Sequence, residues 1–404
     1  MERFEEKFNK DDESRENTLD YFTFADKFFV EHGFVEVDTS GVDTEKDGDY
    51  RIYKLGRRHN VEHKSGGGNE LALRYLQTPE FLKNFFEDAN FKAMPAKLIV
   101  NKAGSTLFMS AGVQILDSII HEEKEIFSEK IYVAQPVFRT QFIDKIGEGI
   151  SSSFINIATE MVNKSPEEHF MILNKWMQLL EGFGLNKENM ILKSVERYSK
   201  WGKRRFSCKI LKIHYNGWGL GDAAYIDMPQ DSRNNISISD IGFGLERIKW
   251  LLSPDKSYFQ SIVPSDKELV EFDSELIDYV RTLTLLAGSG VKPSNNAHGY
   301  RFRQLSKLLT KINLEKKANL NDLISIWYDD WRKWTDLPVD KENSIRTINL
   351  ENERNFNREL LDILKKDYPD VGIDINQPTT KVIELLNGTS VDRNHLREVL
   401  NKIL

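Results

Sequence analysis

The chain has 404 residues, of which 40% are hydrophobic and 29% are charged. It is too long for one compact core, since domains usually hold about 100–200 residues, and this balance excludes disordered, collagen-like and coiled-coil chains. The 56 Lys and Arg against 63 Asp and Glu give a net charge of −7, so no global basic field indicates a nucleic-acid partner, although one face can still be basic.

The N-terminal segment predicts a helix and a strand. Residues 19–32 carry an amphipathic helical pattern that Gly33 ends, and residues 34–37 alternate as a strand does. The polar stretch 41–70 follows, and it contains a glycine triplet at 66–68. No Gly-Lys-Ser/Thr follows that triplet, so a plain loop is favoured over a phosphate-binding loop.

A long hairpin is predicted next. The strand over residues 131–139 and the returning strand over 154–161 enclose a loop rich in Gly and Ser. A helix then runs to Gly182, because Ser165 and Glu168 have the spacing of a capping box at its start.

The middle of the chain reads as strands and the rest as helices. Residues 189–228 predict short strands, and a strand over 237–240 runs into a Gly-Phe-Gly turn and a helix over 245–252. Past Pro264, Ser265 and Glu268 have the spacing that caps a long helix ending near Gly288. The chain is helical from there on, so the boundary between an α+β domain (1–260) and a helical domain (261–404) is predicted near 255–265.

Two motifs carry the chemistry. Val137-Phe138-Arg139-Thr140 ends the first hairpin strand, and Asp240-Ile-Gly-Phe-Gly-Leu-Glu-Arg247-Ile joins a strand to a helix. Glycines let a ligand approach the backbone closely, and arginines grip phosphates through planar, bidentate contacts. Either motif alone is weak, but their order and spacing point to phosphate binding.

Together these motifs resemble motifs 2 and 3 of class II aminoacyl-tRNA synthetases. DIGFGLERI resembles the DTGMGLERI of alanyl-tRNA synthetase, and further segments resemble that enzyme in the same order: 107–112 (LFTNAG there), 213–215 (EIHYD), 293–303 (PSNEGRGYVLRR) and 351–360. The resemblance covers most of the chain except an extra stretch near 41–103. It implies an α+β fold: an antiparallel class II sheet flanked by helices, followed by an all-helical tRNA-recognition-like domain.

The resemblance also implies a function and a set of site residues. The chain looks like a truncated paralogue without the editing domain, which would activate an amino acid with ATP and Mg²⁺. ATP would be held by Arg139, Phe154, Glu160, Gly242, Gly244 and Arg247, with the two arginines carrying the catalysis. The amino acid would meet Asp240, which takes its ammonium group, together with Tyr225 and Ala111.

Three assignments have structural alternatives. Phe154 is either a platform for adenine or a core residue, and Asp240 is either the ammonium ligand or the cap of the following turn. The candidate Mg²⁺ ligands Glu160, Asp222 and Asp227 are carboxylates that could equally form structural ion pairs.

Departures from the family pattern bear on the substrate. The returning strand of motif 2, RHHTFFEM in the family, reads FINIATEM over 154–161, and the family's GPCGPCSE reads as the basic GKRRFSCKIL over 202–211. The alanine-pocket strand EIWNLVF reads DAAYIDM over 222–228, which puts Tyr225 in place of the pocket asparagine. The preferred amino acid is therefore predicted not to be alanine.

A basic segment lies in the helical part. Residues 292–317 hold seven Lys and Arg against one Glu, a local charge of +6, which suits a phosphate backbone as well as it suits a compensated helix face. Within or beside it, four residues are predicted to contact tRNA: Asn295, Arg301, Arg303 and Lys307. Trp327, Trp331 and Trp334 are spaced as a core stripe.

Residue types and patterns that the sequence lacks lead to predictions about zinc, membrane insertion and cellular compartment. With Cys208 as the single cysteine, neither a disulfide framework nor a cysteine-based zinc site is possible; His59 and His63 sit among basic residues and are predicted to be solvated, so no zinc is expected. No apolar run approaches the about 20 residues of a membrane span, and the charged N-terminus lacks a signal segment. A cytoplasmic protein is predicted.

The acceptor of the activated amino acid is left open by the sequence. A tRNA 3′ end is one hypothesis. A carrier protein or a small amine, as in a biosynthetic enzyme, is a second. The third is a binding module for RNA or protein that keeps the fold and has lost catalysis.

Overall fold

The computed structural model describes residues 13–37, 50–55, 70–102, 104, 106–117, 120, 129–201, 204–228, 236–264 and 273–403. Four features predicted above lie outside these ranges: the glycine triplet at 66–68, most of the polar stretch 41–70, the two histidines at 59 and 63, and the capping box at 265–268.

A mixed sheet forms the centre of the described chain. Its nine strands lie in the order β1-β2-β6-β7-β8-β9-β5-β4-β3, antiparallel except for the short β3–β4 pair. The strands are β1 Phe34–Val37, β2 Tyr50–Leu55, β3 Lys92–Ala93, β4 Lys130–Phe138, β5 Ser153–Val162, β6 Met190–Trp201, β7 Arg204–Tyr215, β8 Trp218–Met228 and β9 Ile236–Gly244.

The predicted hairpin is confirmed, and two details of the middle segment are corrected. Strands β4 and β5 pair along their whole length, from Lys130↔Met161 to Phe138↔Ser153. The strands over 189–228 are long rather than short, at 11 and 12 residues. The Gly-Phe-Gly segment is not a turn: β9 continues through it to Gly244, paired with both β5 and β8 as far as Phe243 and with β5 alone at Gly244.

Helices cover one face of the sheet, here called the back face. Helix α1 (Glu13–His32) ends at Gly33, whose φ of 74° suits glycine at the end of a helix. Short helices α2 (Glu70–Tyr75) and α3 (Glu80–Glu87) follow, and α4 (Pro166–Gly182) begins with the predicted Ser165–Glu168 capping box. Tyr21 of α1 contacts Phe170 of α4, so these two helices share one apolar layer.

The rest of the described chain is helical, as predicted. The helices are α5 Leu245–Leu251, α6 Tyr258–Ile262, α7 Ser274–Gly288, α8 Ala297–Lys316, α9 Leu320–Trp331, α10 Lys341–Leu364, α11 Thr379–Asn387 and α12 Arg393–Ile403. Trp327 and Trp331 are fully buried and Trp334 nearly so, which confirms that this stripe is core. None of the described helices is both long and apolar enough to cross a bilayer.

Helix α7 is joined to the sheet by buried polar groups. Asp278 accepts hydrogen bonds from the backbone N–H and the hydroxyl of Ser152, the residue before β5. Arg281 pairs with Glu246 of α5, and both side chains are almost completely buried. Arg281 also lies over the ring of Trp331, 4.3 Å from its centroid. The first helix of the helical region is thereby fixed to the strand that carries Phe154 and Glu160.

Candidate active site

A cavity of about 310 Å³ opens on the front face of the sheet, opposite α1 and α4. Its floor is made of residues without bulky side chains, among them Gly221, Gly242 and Gly244 on β8 and β9. Around the floor stand Arg139, Phe154, Asn156, Lys212, His214, Asp222, Asp240 and Arg247. A volume of this size is at the lower end of the about 300–1,000 Å³ of small-molecule sites.

Two carboxyl groups face each other at one end of the cavity. Glu160 of β5 and Asp240 of β9 are direct cross-strand partners, and Glu160 is fully buried. Neither oxygen of Glu160 has a hydrogen-bond partner of good geometry among the described residues, although Asp240 is close enough to share a proton with it. A buried carboxylate without a cation is unfavourable, so this end of the cavity favours a proton or a cationic ligand.

The titration of the pair follows from its surroundings. Burial, and then the charge of Asp240, raise the pKa of Glu160 well above its usual range. Burial raises the pKa of Asp240 to about 7, while the neighbouring Glu160 and Arg139 oppose the rise. Both carboxyls therefore keep their protons to higher pH than ordinary acids do, and the pair still holds one proton at neutral pH.

Glu160→Gln is expected to stabilise the protein at alkaline pH. A carboxyl whose pKa is raised in the folded state favours folding at acid pH, and this contribution is lost as the pH rises from about 4 through the raised value. The variant should therefore melt higher than the native protein at pH 8, by about 2–4 °C for each kcal/mol gained, and no higher at pH 4. Thermal melts at both pH values test this; a variant that is less stable at pH 8 would contradict the buried-acid interpretation.

Arg139 and Phe154 form one wall of the cavity. Arg139 follows the end of β4, and its Nε donates to the carbonyl of Ser110 at 3.0 Å. Its guanidinium lies 4.9 Å from the ring centroid of Phe154, so Phe154 faces the cavity instead of the core. Burial lowers the pKa of the Arg139 guanidinium, which means that its charge is poorly solvated and would be stabilised by an anion.

Arg247 lies at the other end of the cavity. Its Nε donates to the carbonyl of Gly149 at 3.1 Å, and another nitrogen of the guanidinium donates to the carbonyl of Gly219. Burial lowers the pKa of this guanidinium as well. Arg247 thus ties the hairpin loop after β4 to the β7–β8 turn while its charge stays in the cavity.

The structure also brings in residues that the sequence analysis did not assign. Asn156 accepts from the backbone N–H of Gly112 at 2.6 Å and so fixes the segment next to Ala111, which lines the cavity as predicted. Asn156 shares the strand face of Phe154 and Glu160, a period-2 signal that could have found it. Lys212 and His214 of β7 also line the cavity, but their position there depends on the order of the strands.

Two predicted site residues lie on the back face. The hydroxyl of Tyr225 donates to the carbonyl of Lys164 at 2.8 Å, and its ring lies against Tyr21. Asp227 pairs with the buried Lys209 at 3.3 Å. Both alternate with Asp222 along β8 and point away from the cavity. The predictions that Tyr225 lines the amino-acid pocket and that Asp227 binds Mg²⁺ are therefore corrected: one is a core tyrosine and the other belongs to a structural ion pair.

The proposed metal ligands are consequently not assembled. Of the three carboxylates, Asp222 lines the cavity, Glu160 is buried beside Asp240, and Asp227 lies on the opposite face. Within the described ranges no group of three or more His, Cys, Asp or Glu side chains is arranged to hold a metal ion.

A second, larger cavity of about 1060 Å³ lies between α8 and α10. Cationic side chains from both helices line it, and Asp144, Glu359 and Asp362 add negative charge. The cations are Arg303, Lys307, Lys311, Arg358 and Lys366. We call this cavity the basic groove.

Three of the four residues predicted to contact tRNA lie in the basic groove. Asn295, Arg303 and Lys307 line it, whereas Arg301 does not and instead donates to Gln304 at 2.7 Å. Arg303 is already engaged, because its Nε donates to the buried Glu351 at 3.2 Å and its Nη1 donates to Asn295. Lys307 and its neighbours on the groove wall are therefore better placed to meet an external phosphate.

The comparison with known proteins gives one distant relationship. No protein-family model matches the chain. In an alignment of 282 residues that covers 63% of this chain, it is 21% identical to the alanine–tRNA ligase of Methanococcoides burtonii. The match covers 28% of that ligase, so the chain spans just over a quarter of the length of this relative. This similarity supports a distant relationship to alanyl-tRNA synthetase.

Proposed function

We propose that the protein is a ligase that activates an amino acid with ATP, as class II aminoacyl-tRNA synthetases do, and passes the acyl group to a tRNA 3′ end. One observation carries the proposal: Arg139, Arg247 and Asp240 line one cavity with glycines in its floor. The predicted ATP contact Glu160 does not line it and lies buried behind Asp240 as its cross-strand partner. Two arginines suit the phosphates of ATP. A buried carboxyl pair suits the ammonium of an amino acid, which replaces the shared proton as the counter-charge.

The chemistry needs positioning more than reactive groups. The carboxylate oxygen of the amino acid attacks the α-phosphorus of ATP, a new O–P bond forms, and the bond to the β-phosphate oxygen breaks to release pyrophosphate. Arg139 would hold the α-phosphate, and Arg247 the far phosphates. Asp240 would hold the ammonium so that the carboxylate is aimed in line. Preorganised charges of this kind lower the barrier without a protein nucleophile or base.

Mg²⁺ would enter as a complex with ATP. Such ions keep several waters and are usually bound through one or two carboxylates together with the phosphates of the substrate. Since the described residues supply no cluster of carboxylates, the ion would be held by the phosphates of ATP and by water rather than by side chains of the protein. The ion would supply neutralisation of phosphate charge, and the arginines would fix the geometry.

Pyrophosphate exchange across a panel of amino acids tests the proposal directly. An adenylating enzyme incorporates labelled pyrophosphate into ATP only when its amino acid is present. A binding module that has lost catalysis would show no exchange with any amino acid, and this result would overturn the proposal.

Amino-acid binding is expected to weaken below neutral pH. Asp240 must be ionised to pair with an ammonium, and its pKa is raised to about 7 by burial, so the KM for the amino acid should rise about tenfold for each pH unit below 7. The KM for ATP should change much less. Exchange kinetics between pH 6 and 8.5 measure this, with Asp240→Asn as the comparison. That variant should bind the amino acid weakly at every pH, and an unchanged pH profile in it would assign the titration to another group.

The basic groove is the proposed contact with the tRNA acceptor. Lys307 and Lys311 lie on one wall of it, where each could meet one phosphate. Replacing both with alanine should lower the slope of log affinity against log salt by about two units and leave pyrophosphate exchange intact, since about one unit is lost for each phosphate contact. Filter binding over a salt series measures the slope, and Lys381→Ala, at an exposed lysine of α11 outside the groove, is the matched control.

Two results would favour another acceptor. If the native protein makes adenylate but binds no tRNA at low salt, a carrier protein or a small amine takes the place of the tRNA. If it binds tRNA with a slope that Lys307 and Lys311 do not affect, the acceptor lies on a different surface.

A further inference from the structure

One wall of the candidate active site is left unassigned by the proposed function. In the proposed function the α-phosphate, the adenine and the ammonium lie on the side formed by β4, β5 and β9, and the far phosphates lie at the end of the cavity where Arg247 stands. The remaining wall is formed by β7 and β8, and its charged side chains are those of Lys212 and Asp222.

Lys212 and Asp222 lie side by side across the sheet. They are direct cross-strand partners, and Asp222 in turn pairs with Gly242 on the cavity floor. Such partners have Cβ atoms about 4.5–5.5 Å apart. Burial raises the pKa of Asp222, and among its charged neighbours Lys212 does most to oppose that rise. Among the described residues, neither side chain forms a hydrogen bond or a close ion pair. The Lys212 ammonium and the Asp222 carboxylate thus lie next to each other, and each can still form a hydrogen bond with a ligand.

The pair lies within reach of a side chain whose ammonium sits on Asp240. Asp240 pairs with Ala224, and Ala224 is two residues from Asp222 on the same face of β8, a separation of about 7 Å. Past Asp240 in the other direction the same face continues with Ile238, Ile226 and Cys208, all buried. A substrate side chain is therefore directed over Ala224 toward Lys212 and Asp222.

We propose that the amino acid activated here carries a carboxamide side chain, whose oxygen accepts from Lys212 and whose nitrogen donates to Asp222. This inference rests on the proposed function and names its substrate class. An apolar side chain would bury both charged groups without partners, which is unfavourable. A carboxylate would satisfy Lys212 but would face the negative charge of Asp222. An amide is neutral and offers the one donor and the one acceptor that the pair requires.

The test is pyrophosphate exchange with glutamine and asparagine against their apolar isosteres methionine and leucine, their acids, and alanine. The native protein should prefer an amide over its isostere by about 10⁴-fold in kcat/KM, as sites that hydrogen-bond their substrate do. Lys212→Met should lower kcat/KM for the amide about 10–100-fold and leave the KM for ATP unchanged. Asp222→Asn should shift the preference from the amide toward the acid. Lys200→Met, an exposed lysine on β6, is the matched control and should change neither.

Three outcomes overturn the inference. The first is strongest exchange with an apolar amino acid, unaffected by Lys212→Met. The second is a Lys212→Met variant whose loss lies in the KM for ATP, which would assign the lysine to the nucleotide. If no amino acid supports exchange, the proposed function fails separately, and calorimetry with glutamine and asparagine then tests the pocket. Binding that Lys212→Met abolishes supports the inference. Absence of binding is the third outcome that overturns it.

Discussion

Arg139→Ala is expected to lower adenylate formation about 10–150-fold. A hydrogen bond to a charged group contributes about 1.5–3 kcal/mol, and Arg139 projects its guanidinium into the cavity from the end of β4. The contact with the α-phosphate strengthens as that phosphorus becomes five-coordinate, so the loss should appear in kcat as well as in the KM for ATP. Pyrophosphate exchange at varied ATP concentration separates the two.

The control must remove an arginine without touching the cavity. Arg393 is exposed on α12, so Arg393→Ala should leave exchange unchanged. Arg139→Lys is informative as well, because it keeps the charge and loses the planar, bidentate geometry; we expect an intermediate rate. Equal activity of the native protein and Arg139→Ala would show that the cavity does not hold the reacting phosphate.

Arg281→Met is expected to destabilise the fold by about 3–5 kcal/mol. Arg281 neutralises Glu246, and both lie buried between α7 and α5. Removing one member of a buried ion pair leaves the other charge without compensation. Glu246 also accepts from the backbone N–H of Ile155, the residue after Phe154, so the loss should disturb the nucleotide side of the cavity too. Urea unfolding measures the free energy, and exchange kinetics show the effect on ATP.

A double-mutant cycle with Glu246→Gln separates the ion pair from general damage. If the buried charge is the cause, the double variant Glu246→Gln/Arg281→Met should recover a large part of the lost free energy, because a neutral pair has a lower desolvation cost. Additive losses would instead show that the packing of Arg281 on Trp331 carries the effect.

Local patterns predicted the elements well where one segment contains all the information. The capping box at Ser165, the glycine end of α1 and the β4–β5 hairpin depend only on neighbouring residues, and all are confirmed. The order of the two motifs likewise predicted that Arg139 and Arg247 would line one cavity, as they do.

The faces of the middle strands could not be predicted in the same way. Whether Asp222 or Tyr225 faces the cavity depends on the register of β8 against β9, and a shift of one residue reverses every side chain. β7 also shifts register between Ile213 and His214, so counting residues from the family motif does not place Lys212. The Gly-Phe-Gly segment has the composition of a turn, but pairing with β5 and β8 keeps it in a strand.

The position of β9 in the sheet has a consequence for how the protein folds. It is the last of the nine described strands in the chain and lies between β8 and β5, which precede it. Until it arrives, both neighbours present unpaired edges, and edges of this kind attract other chains. β9 also delivers Asp240, Gly242 and Gly244. During synthesis the ribosome must therefore release the segment through residue 244 before the sheet can close, and closing the sheet and completing the cavity are one event.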